Sequence, residues 1–144
     1  MNRTIYPILA FIAILVNACN NPNKEAMDYP LLGAWEITYS KYVYPDTTFE
    51  TTKFADPELK LLTKKHFAFG NQSGKNMVWG GGGEYFHDGD RYTEYIKYHG
   101  YSSFVGQTVN FKSKIEGDLW TLTWSFNKDS LKFDATETWK RIPE

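Results

Sequence analysis

The chain has 144 residues, a formal net charge of −1 and a single cysteine. Once targeting sequence is set aside, that length bounds it to one domain; the near-neutral charge leaves no electrostatic case for nucleic acid, and the lone cysteine excludes an intrachain disulfide. Aromatic residues make up 17% of the sequence and sit among threonine, valine and isoleucine in short alternating runs, a composition that favours strands.

Asn2-Arg3-Thr4 is a short basic start, and Ile5 to Val16 is an almost unbroken apolar run. At roughly 12 residues the run falls short of the ~20 that a spanning helix needs, and it fits the hydrophobic region of a secretory signal. It ends in Leu15-Val16-Asn17-Ala18-Cys19, which resembles the lipobox of bacterial lipoproteins. The resemblance implies that Cys19 becomes the lipidated first residue of the mature protein. The expected organisation is a lipoprotein signal peptide over 1–18, lipidated Cys19 with a polar tether over 19–28, and a folded domain over 29–144. A cleaved signal followed by a free thiol is the alternative; a cysteine with no partner makes lipidation the more economical reading. Three acyl chains anchor stably where one is marginal, so the expected location is the cell envelope, lipid-anchored at the outer membrane, with either side open.

Within the domain, Trp35-Ile37-Tyr39 alternates with Glu36-Thr38-Ser40 as a first strand, followed by a turn at Tyr44-Pro45-Asp46. Asp56-Pro57-Glu58-Leu59 carries helix-start signals, but Lys60-Leu61-Leu62-Thr63 also reads as a strand, so at most one helical turn is expected there. Asp88-Gly89-Asp90 suits a tight hairpin turn. Val109-Phe111-Ser113-Ile115, Trp120-Leu122-Trp124-Phe126 and Leu131-Phe133-Ala135-Glu137-Trp139 each keep a period of two, with turn signals between them. Nine or ten short antiparallel strands predict an all-β meander. An up-and-down barrel solves the edge-strand problem most simply, and a two-sheet sandwich is the alternative.

Gly33-x-Trp35 at the first strand, with Arg141 just after the last, is similar to the lipocalin (calycin) arrangement. That resemblance implies a structural role for Gly33, Trp35 and Arg141, the guanidinium packing across the indole near the end of the barrel. GGGGEYFHDGDRYTEYIKY, FKSKIEGDLW and ETWKR resemble small lipocalin-like lipoproteins of Bacteroidota, a family without an assigned biochemical role. The chain departs from true lipocalins in its shorter length, its lack of disulfides and the absence of a clear C-terminal helix.

The functional candidates follow from strand phase. Around the Asp88-Gly89-Asp90 turn, one hairpin face carries Gly83, Tyr85 and His87 opposite Asp90, Tyr92 and Glu94, continuing to Ile96 and Tyr98. The other face, which includes Lys97 and His99, has more charge and is expected to meet solvent. A four-residue loop from Phe126 to Leu131 would place Trp124 opposite Phe133, Leu122 opposite Ala135 and Trp120 opposite Glu137, with Glu137 in phase with inward apolar residues. Inward glutamates among aromatics suit a mostly apolar pocket with a few directing polar groups. The expected lining is Tyr85, Tyr92, Glu94, Tyr98, Trp120 and Glu137, with Tyr39 and His66 as further members, and the expected partner is a small hydrophobic or aromatic ligand. A purely structural role, hydrogen bonding tyrosines or pairing with Arg141, stands beside this for both glutamates.

An enzyme would use Glu94 and Glu137 as acid and base, as in an isomerase, cyclase or hydrolase, but no nucleophile motif is present. His66, His87 and His99 have no metal-ligand spacing, so no metal is expected, and no motif asks for a cofactor. The glycine run lacks the phosphate-loop pattern and reads instead as a bulge, a bend or a close backbone approach. A third reading is an interaction module with a filled core, presenting Tyr42, Tyr44, Tyr101 and Phe104 to a partner protein.

Overall fold

The computed structural model describes residues 29–128 and 130–143, so the expected signal peptide, Cys19 and the tether lie outside the described residues. The described chain runs through β1 (Gly33–Val43), β2 (Thr48–Thr51), β3 (Leu59–Leu62), β4 (His66–Ser73), β5 (Asn76–Asp88), β6 (Arg91–His99), a 3₁₀ turn (Ser102–Phe104), β7 (Thr108–Glu116), β8 (Leu119–Lys128) and β9 (Leu131–Arg141). Every neighbouring pair is antiparallel, and β9 returns to pair with β1. The first half of β1 pairs with β3 and the second half with β2, so those two short strands share one station of the wall. The result is a closed eight-station barrel, which leaves no long unpaired edge.

The segment with helix-start signals forms no helix. Its backbone is claimed by the barrel wall, with the Glu58 carbonyl accepting the Ile37 N–H at 3.0 Å just before β3 begins. Gly89 takes φ +60° at the hairpin turn, the left-handed conformation that glycine adopts without a Cβ penalty. Between β8 and β9 the connection is shorter than expected: Lys128 pairs with Leu131, and Trp124, Leu122 and Trp120 face Ala135, Glu137 and Trp139. The shift is by an even number of residues, so the face of every side chain, Glu137 included, is unchanged.

One end of the barrel is filled. Trp35, Trp120, Trp139, Tyr92, Phe67, Leu31 and Leu122 are all essentially inaccessible there. Trp35 and Trp120 lie with ring centroids 5.4 Å apart, and Tyr92 meets Trp120 edge-on at 5.0 Å. Each of these indoles finds an acceptor: Trp35 donates to the Leu31 carbonyl (3.0 Å), Trp120 to Ser113 Oγ (3.0 Å) and Trp139 to Glu137 Oε2 (3.1 Å). Arg141 closes this end, donating to the carbonyls of Pro30 (2.5 Å) and Leu32 (2.6 Å) with its Cζ 4.1 Å from the Trp35 ring centroid.

Of the three register shifts in the wall, those in the β1–β9 and β5–β6 ladders reset the inward phase of predicted site residues. In β1, pairing with β9 slips between Ile37 and Tyr39, so Trp35 and Ile37 face inward, then Ser40 and Tyr42. In the β5–β6 ladder, Gly83 pairs with Ile96 but Gly82 pairs with Tyr98, leaving Lys97 as the extra residue of a bulge.

Candidate functional site

The end of the barrel away from Arg141 is open and holds a cavity of about 590 Å³. Its walls are aromatic. Trp79, His99, Tyr101, Phe104 and Phe69 line one side; Tyr42, Tyr44, Phe49, Trp124 and Phe133 line the other. The rings support one another: His99 stacks on Phe104 (4.6 Å), Phe104 on Phe126 (4.5 Å), and Tyr42 packs edge-on to Trp124 (6.0 Å). The cavity also reaches four charged side chains: Glu58, Lys60, Glu94 and Glu137.

Those four groups are buried together and act on one another through their charges. Lys60 Nζ lies 2.9 Å from Glu94 Oε1, and the two side chains are only 5% and 6% exposed. The ammonium also sits 4.8 Å from the Trp139 ring centroid and 5.7 Å from those of Trp120 and Phe69. Burial alone would lower the Lys60 pKa, but the charges of Glu94 and Glu137 outweigh it, and the net shift is upward. Glu94 Oε1 accepts a second hydrogen bond from the Tyr92 hydroxyl at 2.9 Å. Glu137 accepts from the Tyr42 hydroxyl through Oε1 and from Trp139 through Oε2.

Glu58 stands apart. It is 7% exposed, lines the cavity, and its carboxyl makes no hydrogen bond among the described residues. Burial, then the charge of Glu137, pushes its pKa up to about 8, with Lys60 opposing. Burial also raises Glu137, against the pull of Lys60 and the Tyr42 hydrogen bond. His99 is lowered by burial; its Nδ1 accepts the Tyr101 N–H at 2.9 Å, so Nε2 carries the proton of the neutral ring.

Of the residues read as lining from the sequence, the structure brings Glu94 and Glu137 to this cavity. Tyr92 and Trp120 point inward but lie in the filled end, wholly buried, and contribute only by holding Glu94 and the packing beneath it. Tyr85 also faces the filled end, its hydroxyl donating to the Thr63 carbonyl at 2.7 Å. His66 is exposed and shares a groove with Tyr85 and His87 beside Tyr29–Leu31, at the opposite end from the cavity. Tyr39 and Tyr98 point outward: Tyr39 donates to Glu50 at 3.1 Å, and Tyr98 is 58% exposed. Unbroken alternation puts both inside, and both lie just past a bulge that reverses it.

The same reversals bring in residues that alternation placed outside. His99 follows the Lys97 bulge into the cavity, and Tyr42 follows the β1 shift to Glu137. Tyr42, Tyr44, Tyr101 and Phe104, the candidates for a protein-binding surface, all line the cavity, and Tyr101 is also exposed. Glu58 and Lys60 were missed because β3 is inverted: Lys60 and Leu62 are buried while Leu59 and Leu61 are exposed. The available signal was the shared phase of Glu58, Lys60 and Leu62, masked by leucines on both faces.

An aromatic-walled cavity in the mouth of a closed antiparallel barrel defines a lipocalin-like fold. Two solved structures share it: a lipocalin-like protein from Bacteroides uniformis ATCC 8492 (13% identity, TM-score 0.51, covering 78% of this chain and 98% of that one) and an uncharacterized protein from Bacteroides eggerthii DSM 20697 (14% identity, TM-score 0.50, covering 77% and 98%). At those identities the likeness is one of fold. No curated protein matches the chain. Residues 30–144 match the family described as domain of unknown function DUF4488, and the chain belongs to that family.

Proposed function

We propose that the protein binds a small, partly apolar ligand in the open end of its barrel and presents that cavity at the cell envelope from a lipid on Cys19. The observation that carries the binding reading is the cavity itself. At about 590 Å³ it falls within the roughly 300–1,000 Å³ of small-molecule sites. Its composition suits that use, with aromatic walls over a few buried polar groups that could orient a ligand. The lipobox resemblance and the lone cysteine support the anchor.

Titration of the folded domain with N-phenyl-1-naphthylamine, a neutral fluorescent aromatic, tests the cavity. Saturable enhancement at one site is expected, and Val109→Trp, which adds bulk at a buried lining position, should abolish it while the domain stays folded. Unchanged binding by a folded Val109→Trp protein would place the probe elsewhere and remove the reading. Co-purifying small molecules detected by native mass spectrometry would identify the ligand directly. Incorporation of an alkyne-labelled fatty acid by the full chain, lost in Cys19→Ala, tests the anchor.

A further inference from the structure

We infer that the ligand carries a cationic nitrogen, which enters the cavity first and sits against the Glu58 carboxyl beneath the aromatic walls. This deepens the binding reading above and rests on it.

The first ground is charge. Three carboxyls, Glu58, Glu94 and Glu137, are buried together with one ammonium, Lys60. Lys60 is already committed, 2.9 Å from Glu94 and covered by the Trp139 ring. Among the described residues that line the cavity, an anionic ligand would therefore find carboxyls and no uncommitted lysine or arginine to receive it. The second ground is hydrogen bonding. Glu94 and Glu137 each have two donors, whereas Glu58 has none among the described residues and lines the cavity. The Glu58 carboxyl, reachable from the cavity and without such a donor, is the one a ligand ammonium can donate to, and the pair is strongest when the carboxyl is ionised. The third ground is the walls. Tyr44, Phe49, Trp79, Tyr101 and Trp124 line the same cavity as Glu58, and aromatic faces attract cations, including quaternary ammonium groups.

The groups around Glu58 set a pH dependence. Glu137 from β9, Lys60 from β3, Glu94 from β6 and Tyr42 from β1 all act on it or on its nearest charged neighbour. Without a neighbouring ligand cation, burial and Glu137 keep Glu58 protonated up to about pH 8. A cation stabilises the ionised form, so its binding releases a proton from Glu58 and tightens as pH rises toward that value. His99, held low by burial, is already neutral across this range.

Isothermal titration calorimetry with three probes of one body and different heads tests the inference: 4-phenylbutylamine, 4-phenylbutan-1-ol and 4-phenylbutyrate. The amine should bind at least about tenfold tighter than either of the others at pH 7.5. Its affinity should rise about tenfold or more from pH 6.5 to 8.5, with proton release seen as a heat that changes with the buffer's ionisation enthalpy. Glu58→Gln should bring the amine to within about twofold of the alcohol. If the alcohol or the acid binds as tightly as the amine, the cationic head is wrong while the cavity reading stands. If all three fail while N-phenyl-1-naphthylamine still binds, the cationic head is likewise wrong. If that neutral probe fails too, the cavity reading falls with it. The three-probe comparison on the unsubstituted protein stands even if Glu58→Gln does not fold.

Discussion

Lys60 and Glu94 form an ion pair, 2.9 Å from nitrogen to oxygen, buried at the base of the cavity and contributed by two strands that are not neighbours in the sheet. Desolvating two charges costs about as much as their attraction returns, so the pair is a weak source of net stability. Breaking it is another matter, because the remaining charge is left buried alone. Lys60→Met and Glu94→Gln should each destabilise by about 3–5 kcal/mol in urea unfolding, and the double variant should lose less than the sum of the two. Simple additivity would show that the two groups are not energetically coupled.

Glu58 makes stability fall as pH rises. Its folded pKa of about 8 lies above the ordinary carboxyl value of 4.5 expected in the unfolded chain, so the folded state holds its proton where the unfolded state has lost it. The stabilisation is full below the unfolded value and fades as pH climbs through the folded one. Between pH 7 and 8.5 the loss should be about 1 kcal/mol, read from urea midpoints at constant ionic strength. Glu137, also raised, pulls in the same direction, while His99, lowered by burial, acts only at more acid pH. Glu58→Gln should flatten the slope over this interval. A variant as steep as the parent would assign the effect to Glu137.

Tyr42 and Tyr39 separate what alternation can and cannot reveal. Period two in the sequence was enough for the closed antiparallel barrel, for Trp35, Tyr92, Trp120 and Trp139 inside it, and for the inward phase of Glu94 and Glu137. It survived a two-residue register error between β8 and β9 because an even shift preserves faces. It failed after single-residue irregularities, which leave no compositional mark: past Ile37 in β1, and at Lys97 in β6. It failed too in β3, where the charged face turns inward against other charged groups and hydropathy alone gives the wrong side. Tyr42→Phe removes the hydroxyl that donates to Glu137 and should cost about 1–3 kcal/mol. Tyr39→Phe removes an exposed bond to Glu50 and should change stability by less than about 0.5 kcal/mol. Equal effects in thermal melts would contradict the reversed phase.

Arg141 ties the chain's last strand to the turn before its first. Its two nitrogens donate to Pro30 and Leu32 while the guanidinium plane covers Trp35. Arg141→Ala loses both the forked hydrogen bonds and the stacking, and should destabilise by about 2–4 kcal/mol. Arg141→Lys keeps the charge but neither the fork nor the flat face, so it should recover less than half of that loss. Full recovery with lysine would reduce the role of Arg141 to its charge.

The glycine run lies in the middle of the barrel wall, where β5 packs closely between β4 and β6, and its members should differ sharply in their response to alanine. A Cβ on Gly83 would lie 2.0 Å from the Tyr95 carbonyl oxygen, opposite the Lys97 bulge. Backbone cannot move there without undoing the bulge that carries His99 into the cavity, so Gly83→Ala should prevent folding or cost more than about 4 kcal/mol. A Cβ on Gly81 would meet the Phe69 ring at 2.8 Å and the Tyr98 carbonyl at 2.9 Å, inside the cavity wall. The ring can yield in part but the carbonyl cannot, so Gly81→Ala should both destabilise and weaken N-phenyl-1-naphthylamine binding. Gly89 has open space around it and is constrained only by φ +60°, so Gly89→Ala should cost about 1 kcal/mol and leave probe binding intact. Circular dichroism melts and probe titrations on the three variants measure both quantities, and a Gly83→Ala protein as stable as Gly89→Ala would mean that the bulge does not need glycine.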